Sequence, residues 1–326
     1  DRLEKMINSD TDSDTKHEPI TKYKKFHNIP NEKYRQRRFW DQLFYENVLE
    51  ALGFSKNREP FLKLSGILPL YYLKNRININ EQNAISKIQA LFFGVSGLLP
   101  ENTENLDEET KSYIETLYPL WDGFKDEFKQ TMKKSEWQFF RLRPQNFPTI
   151  RVAGLSYLLP SFLGTKIFKD IIMDMRDSEE KIDETIGKIY KKLIVEAEGY
   201  WKGHYGFSAE TKKDNKTLIG QNRVDDIIIN AVVPLVILFA RYFKEVRTEK
   251  LTMSLYHFFP KISDNEHSRI IVAELLEGNP IMTAKQQQGA IHLFKLYCKE
   301  SRCSKCDVGK VLKIAKKAEQ EAVATA

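Results

Sequence analysis

Three cysteines lie within nine residues, Cys298-x4-Cys303-x2-Cys306, in the run YCKESRCSKC. A Cys-x2-Cys pair can set two thiolates around one ion, and Zn²⁺ takes four N or S ligands. Only three thiols are local, so Cys298, Cys303 and Cys306 form an incomplete candidate zinc set. His292 precedes Cys298 by six residues on one expected helix, which turns the two side chains about 120° apart. His267, Asp307 or a partner chain are other sources of a fourth ligand. The same spacing suits a disulfide or redox pair, and it also suits reduced cysteines that simply pack.

A second set is the run 141–151, RLRPQNFPTIR, with Arg141, Arg143, Asn146 and Arg151. Guanidinium forks match phosphate or carboxylate bidentately. Pro144 and Pro148 lower the entropy lost when the segment orders. A helix starting near Thr149 would aim free N–H groups at an anion. The alternative is that these arginines tie helices together through carboxylates and carbonyl ends.

A third set is a polar stripe, Asn222, Asp226 and Asn230, spaced by four so as to share one helix face. Asn222 can cap that helix, with Asp225 three residues on. Asn230 sits in an apolar run and needs a partner if buried. The complementary chemistry leads to the expectation that this stripe receives the 141–146 loop. Other signatures fail. Asp10, Asp12 and Asp14 imitate a calcium loop, but Thr15 and Thr21 stand where Gly and Glu belong. There is no P-loop, G-x-S-x-G, H-E-x-x-H or G-x-G-x-x-G. Glu127-Phe128-Lys129 falls in an expected helix and not on the strand that an E-x-K nuclease motif needs.

The elements that must position these residues are helical. Apolar residues at three- and four-residue steps predict helices over 39–52 (stopped at Gly53), 59–73 (bent at Pro69) and 85–98. Residues 101–134 run from acidic to basic, which complements a helix dipole. The run 137–148, with two prolines and no helical period, reads as an ordered loop. Helices resume over 149–159, 179–200, 224–243, 265–276, 283–297 and 304–318. Period-two alternation is nearly absent, and no internal repeat is present. The expected fold is all-α, an irregular multi-helix bundle with room for one short hairpin around 203–218. Residues 1–30 read as a flexible polar lead-in, 31–318 as one helical domain with a sub-boundary near 137–148, and 319–326 as a frayed tail.

The chain has 326 residues, 41% hydrophobic and 12% aromatic, with 15 Gly and 12 Pro. That excludes disordered, collagen-like and turn-rich β classes. Three cysteines exclude a disulfide scaffold and fit a reducing compartment. The apolar run 227–240 is shorter than the about 20 residues of a bilayer crossing, so no membrane is expected. No apolar leader follows Asp1–Lys5, and the expected location is cytoplasmic. Net charge is +6, but cations concentrate over 22–38 and 295–317, opposite acidic runs at 101–115 and 170–184. Segregated charge suits a polyanion, although lysine-rich helices are also often only solvated.

Four runs together, REPFLKLSGILPL, KIQALFFGVSGLL, WQFFRLRPQNFPTIRVAGL and GNP…QQQGAIHLFKLYCKESRCSKC, resemble the uncharacterised family called domain of unknown function 2851, over about residues 35–310. The resemblance implies no established activity. Longer relatives carry an added strand-containing part with a Gly-Asp-x-Glu-x-His-like segment, and nothing here matches it. That implies a fragment, or a divergent version without catalysis. The leading expectation is a non-enzymatic helical module binding nucleic acid or another polyanion. Its contacts would be Arg141, Arg143, Arg151, Lys299, Arg302 and Lys305, with Asn146 fixing the loop. The alternatives are a metal-assisted hydrolase or nuclease completed elsewhere, and a scaffold for a protein partner.

Overall fold

The computed structural model describes residues 37–311 except 165, 179–180, 208, 211–213 and 277. The lead-in 1–30, most of the basic run 22–38 and the tail 319–326 lie outside the described residues. The fold is all-α, with thirteen α-helices among the described residues. The chain divides into two compact units, with the division between Thr252 and Met253. The stretch 137–148 lies within the first of them. No helix among the described residues is long and apolar enough to cross a membrane.

In the first unit, α1 (Arg37–Leu52) buries Phe44, Tyr45, Val48 and Leu49 completely. Trp40 packs on Phe168 and Phe239. α1 ends at Leu52, where the stop at Gly53 was expected, and α2 (Phe54–Ile67) follows directly, with Gly53 in right-handed helical geometry. A side chain on Gly53 would strike the Asn57 backbone, so glycine also permits the close approach there. Pro69 splits the next segment as expected, capping α3 (Leu70–Arg76). α4 (Ala84–Ser96) ends at Gly97 with φ 66°, where Leu98 N–H reaches back to Phe93 O at 3.1 Å. That left-handed reversal favours glycine.

α5 (Glu108–Asp122) opens with Asp107 accepting from Thr110 N–H at 2.8 Å. Acidic residues fill its first turn, but the lysines expected at its end lie beyond it. The helix ends at Asp122, capped by Gly123, before they are reached. α6 (Pro148–Leu163) is buried on nearly every side, as an all-round apolar helix must be. α7 (Ile167–Arg176) and α8 (Ile182–Leu193) are strongly amphipathic and follow it.

The expected hairpin is present as β2 (His204–Gly206) against β3 (Ala209–Glu210), beside β1 (Val195–Glu196) paired with β4 (Thr217–Ile219). The helix expected over 224–243 is broken. α9 (Gln221–Ile227) passes through a π-turn at Ile228–Val232 into α10 (Val233–Tyr242). Pro234 lacks an N–H and its ring crowds the preceding carbonyls, so the wider turn absorbs the conflict. α11 (Val246–Phe258) contains the division between the units.

In the second unit, α12 (Glu266–Leu275) starts at Asn265, whose side chain accepts from Ser268 N–H at 2.9 Å. α13 (Ala284–Leu293) starts at Thr283 and continues as a π-turn, Phe294–Cys298. Ile271, Ile281 and Ala290 form a small core.

Gly97→Ala should cost on the order of 2 kcal/mol, because a Cβ there meets the Met132 carbonyl at a positive φ. Gly187→Ala, in α8 with open space around it, should stabilise by about 0.5–1 kcal/mol. Urea unfolding of both variants checks the pair; equal effects would contradict this packing.

Candidate functional site

The loop 137–147 is held at both ends and open in the middle. At its start, Trp137 is buried; its Nε1–H donates to Ser96 O at 2.8 Å and its ring meets Phe61 edge-on. Asn57, buried in a non-helical kink of α2, clasps the next residue from both sides. Its Nδ2 donates to Gln138 O at 2.9 Å, and its Oδ1 accepts from Gln138 N–H at 2.8 Å. Phe139 turns inward against Phe147.

The far end is fixed by buried arginines. Arg151 donates Nη1 to Leu218 O at 2.7 Å and Nη2 to Asn146 Oδ1 at 2.8 Å. Arg223, on α9, donates Nη2 to the same Asn146 Oδ1 at 3.2 Å and pairs Nη1 with Asp226 Oδ2 at 2.9 Å. Both arginines are only 7% exposed. Burial pulls each guanidinium below its usual range, and for Arg151 the nearby Arg223 charge adds to this. Burial pushes the Asp226 carboxyl up, and the Arg223 charge pulls it back. The Arg151 Nε–H is buried with no hydrogen-bond partner among the described residues.

Between these anchors the tip is exposed. The Phe140 side chain is 74% exposed, with the Arg141 guanidinium 5.1 Å from its ring centroid. Arg141 takes φ 55°, a left-handed conformation that non-glycine residues rarely adopt. Arg143 is exposed as well. Lys56, on α2, donates to Phe140 O at 2.9 Å and so places its charge beside the tip. The local chemistry is an aromatic face ringed by cations on a braced loop.

Each expected site residue can now be placed. Arg141 and Arg143 are exposed, and Asn146 accepts from the two buried arginines. Arg151 does not face outward: its guanidinium is engaged by internal acceptors, and an external phosphate cannot reach it. Of the stripe, Asp226 is linked to the loop indirectly, through Arg223, which the spacing argument passed over. Asn222 and Asn230 are exposed, and the cap of α9 is Gly220. Asn230 simply bonds back to Asp226 O at 2.8 Å. A Lys/Arg one residue after Asn222 in an apolar helix was the signal that could have found Arg223. Asn57 and Phe140 carried no spacing signal at all.

Lys299, Arg302 and Lys305 belong to the second unit, where Lys299 and Lys305 are exposed and Arg302 pairs with Glu300. The three cysteines are free: Cys298 half-buried, Cys303 exposed, Cys306 buried. Burial pushes the Cys298 thiol up, and the other two thiols add to it. Among the described residues no three His, Cys, Asp or Glu side chains gather where an ion could sit. Cys298, Cys303 and Cys306 therefore belong to no such group among the described residues. His267 instead stacks on Phe294 at 4.6 Å.

A family model described as "Protein of unknown function (DUF2851)" matches residues 15–265. That span holds the loop and the buried arginines and stops before the cysteines. No curated protein and no solved structure matches the chain.

Arg223→Met should destabilise by about 3–5 kcal/mol, since it strands the Asp226 carboxylate beneath the surface. The double variant Arg223→Met with Asp226→Leu should be milder than the single change; a double variant as unstable as the sum would refute the coupling. A pH effect follows from Asp225, which accepts from Tyr190 Oη–H at 2.5 Å and whose carboxyl burial pushes up. An acid with a raised folded pKa holds its proton more tightly folded than unfolded. Its stabilising contribution is complete below the ordinary Asp value of about 3.9 and declines as pH rises through the folded value. Asp225→Asn should flatten that decline in thermal melts run from acid to neutral pH.

Proposed function

We propose, on the premise that this chain belongs to the DUF2851 family of proteins of unknown function, that it binds single-stranded nucleic acid through the tip of the 137–147 loop. Bases stack on Phe140, and Arg141, Arg143 and Lys56 meet the phosphates. The observation that carries this reading is the exposed Phe140 ring beneath the Arg141 guanidinium on a loop pinned at both ends. Aromatic stacking accepts any base, and each stacked base contributes about 1–3 kcal/mol. Cations add a sequence-independent attraction that weakens with salt.

The brace matters as much as the tip. A free loop would lose its conformational entropy on binding, whereas Asn57 and the Asn146–arginine cluster have already ordered this one. Arg151 is assigned to the brace and not to the ligand. Its change should therefore act on stability before affinity.

Fluorescence anisotropy with a labelled oligothymidylate, titrated at several salt concentrations, tests the proposal. Phe140→Ala should weaken binding roughly 5- to 150-fold with little change in salt slope. Arg141→Gln with Arg143→Gln should reduce the slope by about 1.4, since each phosphate left unneutralised on a single strand lowers it by about 0.7. Circular dichroism should show both variants folded. Absence of salt-sensitive binding in the unaltered protein, or indifference to Phe140→Ala, would sink the proposal.

A further inference from the structure

The cysteines outside the family match form an arrangement that the nucleic-acid reading leaves unused. The π-turn Phe294–Cys298 ends in a tight reversal: Ser301 N–H donates to Cys298 O at 3.1 Å and Arg302 N–H to Tyr297 O at 2.9 Å. Ser301 holds φ 53°, the left-handed conformation such a reversal requires. The chain then enters the 3₁₀ turn Cys303–Lys305, and Cys306 N–H closes it on Cys303 O at 3.3 Å.

That turn sets Cys303 and Cys306 at a separation a disulfide can span. A four-residue turn keeps its terminal Cα atoms under about 7 Å, and disulfides join Cα atoms roughly 4.4–6.8 Å apart. The turn is packed as well as bonded. Gly309 lies against the Cys303 backbone so closely that any side chain there would strike it. The two thiols differ in access: Cys303 is exposed, and Cys306 is buried at 6%. Cys298 is tucked against the Ile271, Ile281 and Ala290 core.

We infer that Cys303 and Cys306 form a reversible dithiol–disulfide pair, with Cys303 as the attacking thiol and Cys306 as the resolving one. The oxidant is a low-molecular-weight disulfide, RSSR. The Cys303 thiolate attacks one sulfur of RSSR, forming a mixed disulfide and releasing RS⁻. The Cys306 thiolate then attacks the Cys303 sulfur, forming the internal bond and releasing the second RS⁻. The sum is RSSR plus two protein thiols giving one protein disulfide plus two RSH, and a thiol reductant reverses it. The exposed Lys305, two residues from Cys303, suits a carboxylate-bearing disulfide. In a reducing compartment the pair rests as the dithiol and reports a shift to oxidising conditions.

The test uses the full chain, reduced, then exposed to oxidised glutathione and read by intact mass and peptide mapping. The expected product is lighter by about 2 Da, the two hydrogens removed on closure, with Cys303 joined to Cys306. Cys298 should stay open to iodoacetamide. Cys306→Ser should accumulate a stable glutathione adduct on Cys303. Cys303→Ser should react at Cys306 at least about tenfold more slowly, since the attacking thiol is gone and the other is buried. A bond that includes Cys298, a persistent adduct in the unaltered protein, or no reaction would overturn the inference. So would stoichiometric zinc in the purified protein together with thiols that resist alkylation.

Discussion

Two guanidinium groups share one amide oxygen inside this protein. Arg151 from α6 and Arg223 from α9 both donate to Asn146 Oδ1, and Asp226 faces them as a close counter-charge. Burying like charges together is costly, and the cost is tolerated only where oriented acceptors meet the buried donors. The Leu218 carbonyl takes the other Arg151 Nη. This constraint joins three stretches of the first unit: the end of the loop, the central helix α6, and the β4–α9 segment. Loosening any one of them exposes an unpaired charge, so the cluster fixes position more than it adds stability.

The loop tip inherits its rigidity from that cluster and from Asn57. An exposed aromatic on a slack loop would fold back onto the nearest apolar surface. Here Phe139 is already used against Phe147, the chain turns through the left-handed Arg141, and Phe140 is left facing water. Local strain of this kind costs of order 1–3 kcal/mol and persists only where the surroundings over-determine it. The double clasp by Asn57 and the shared Asn146 oxygen supply that over-determination. The same geometry explains why the arginines of one short motif have opposite fates: Arg141 and Arg143 precede the anchor, and Arg151 is part of it.

The second unit works on a smaller core and different chemistry. Its helices start where side-chain caps dictate, at Asn265 and Thr283, and its cysteine segment follows a reversal set by Ser301. The three thiols are close in sequence yet differ in exposure: Cys298 is half-buried against the small core, Cys303 is exposed and Cys306 is buried.

Much of this was written in local sequence. The helical period gave the all-α class, Pro69 split its helix, and the two prolines marked 137–148 as an ordered loop. These are short-range effects: sterics, capping and side-chain spacing act within a turn or two of chain. The π-turn before Pro234 needed more, because a proline's conflict can be resolved by a break, a kink or a wider turn, and packing chooses among them. The direction of Arg151 was beyond local reasoning altogether. A long charged side chain can reach outward to solvent or inward to acceptors, and its acceptor, Leu218 O, lies 67 residues along the chain. Sequence therefore determined the all-α class and most of the helical regions but not their bounds: the helix expected over 179–200 ends at Leu193, and the one over 224–243 is broken. Tertiary structure alone decided which cations are buried, which remain exposed, and which thiol meets water, because those outcomes depend on groups that only folding brings together.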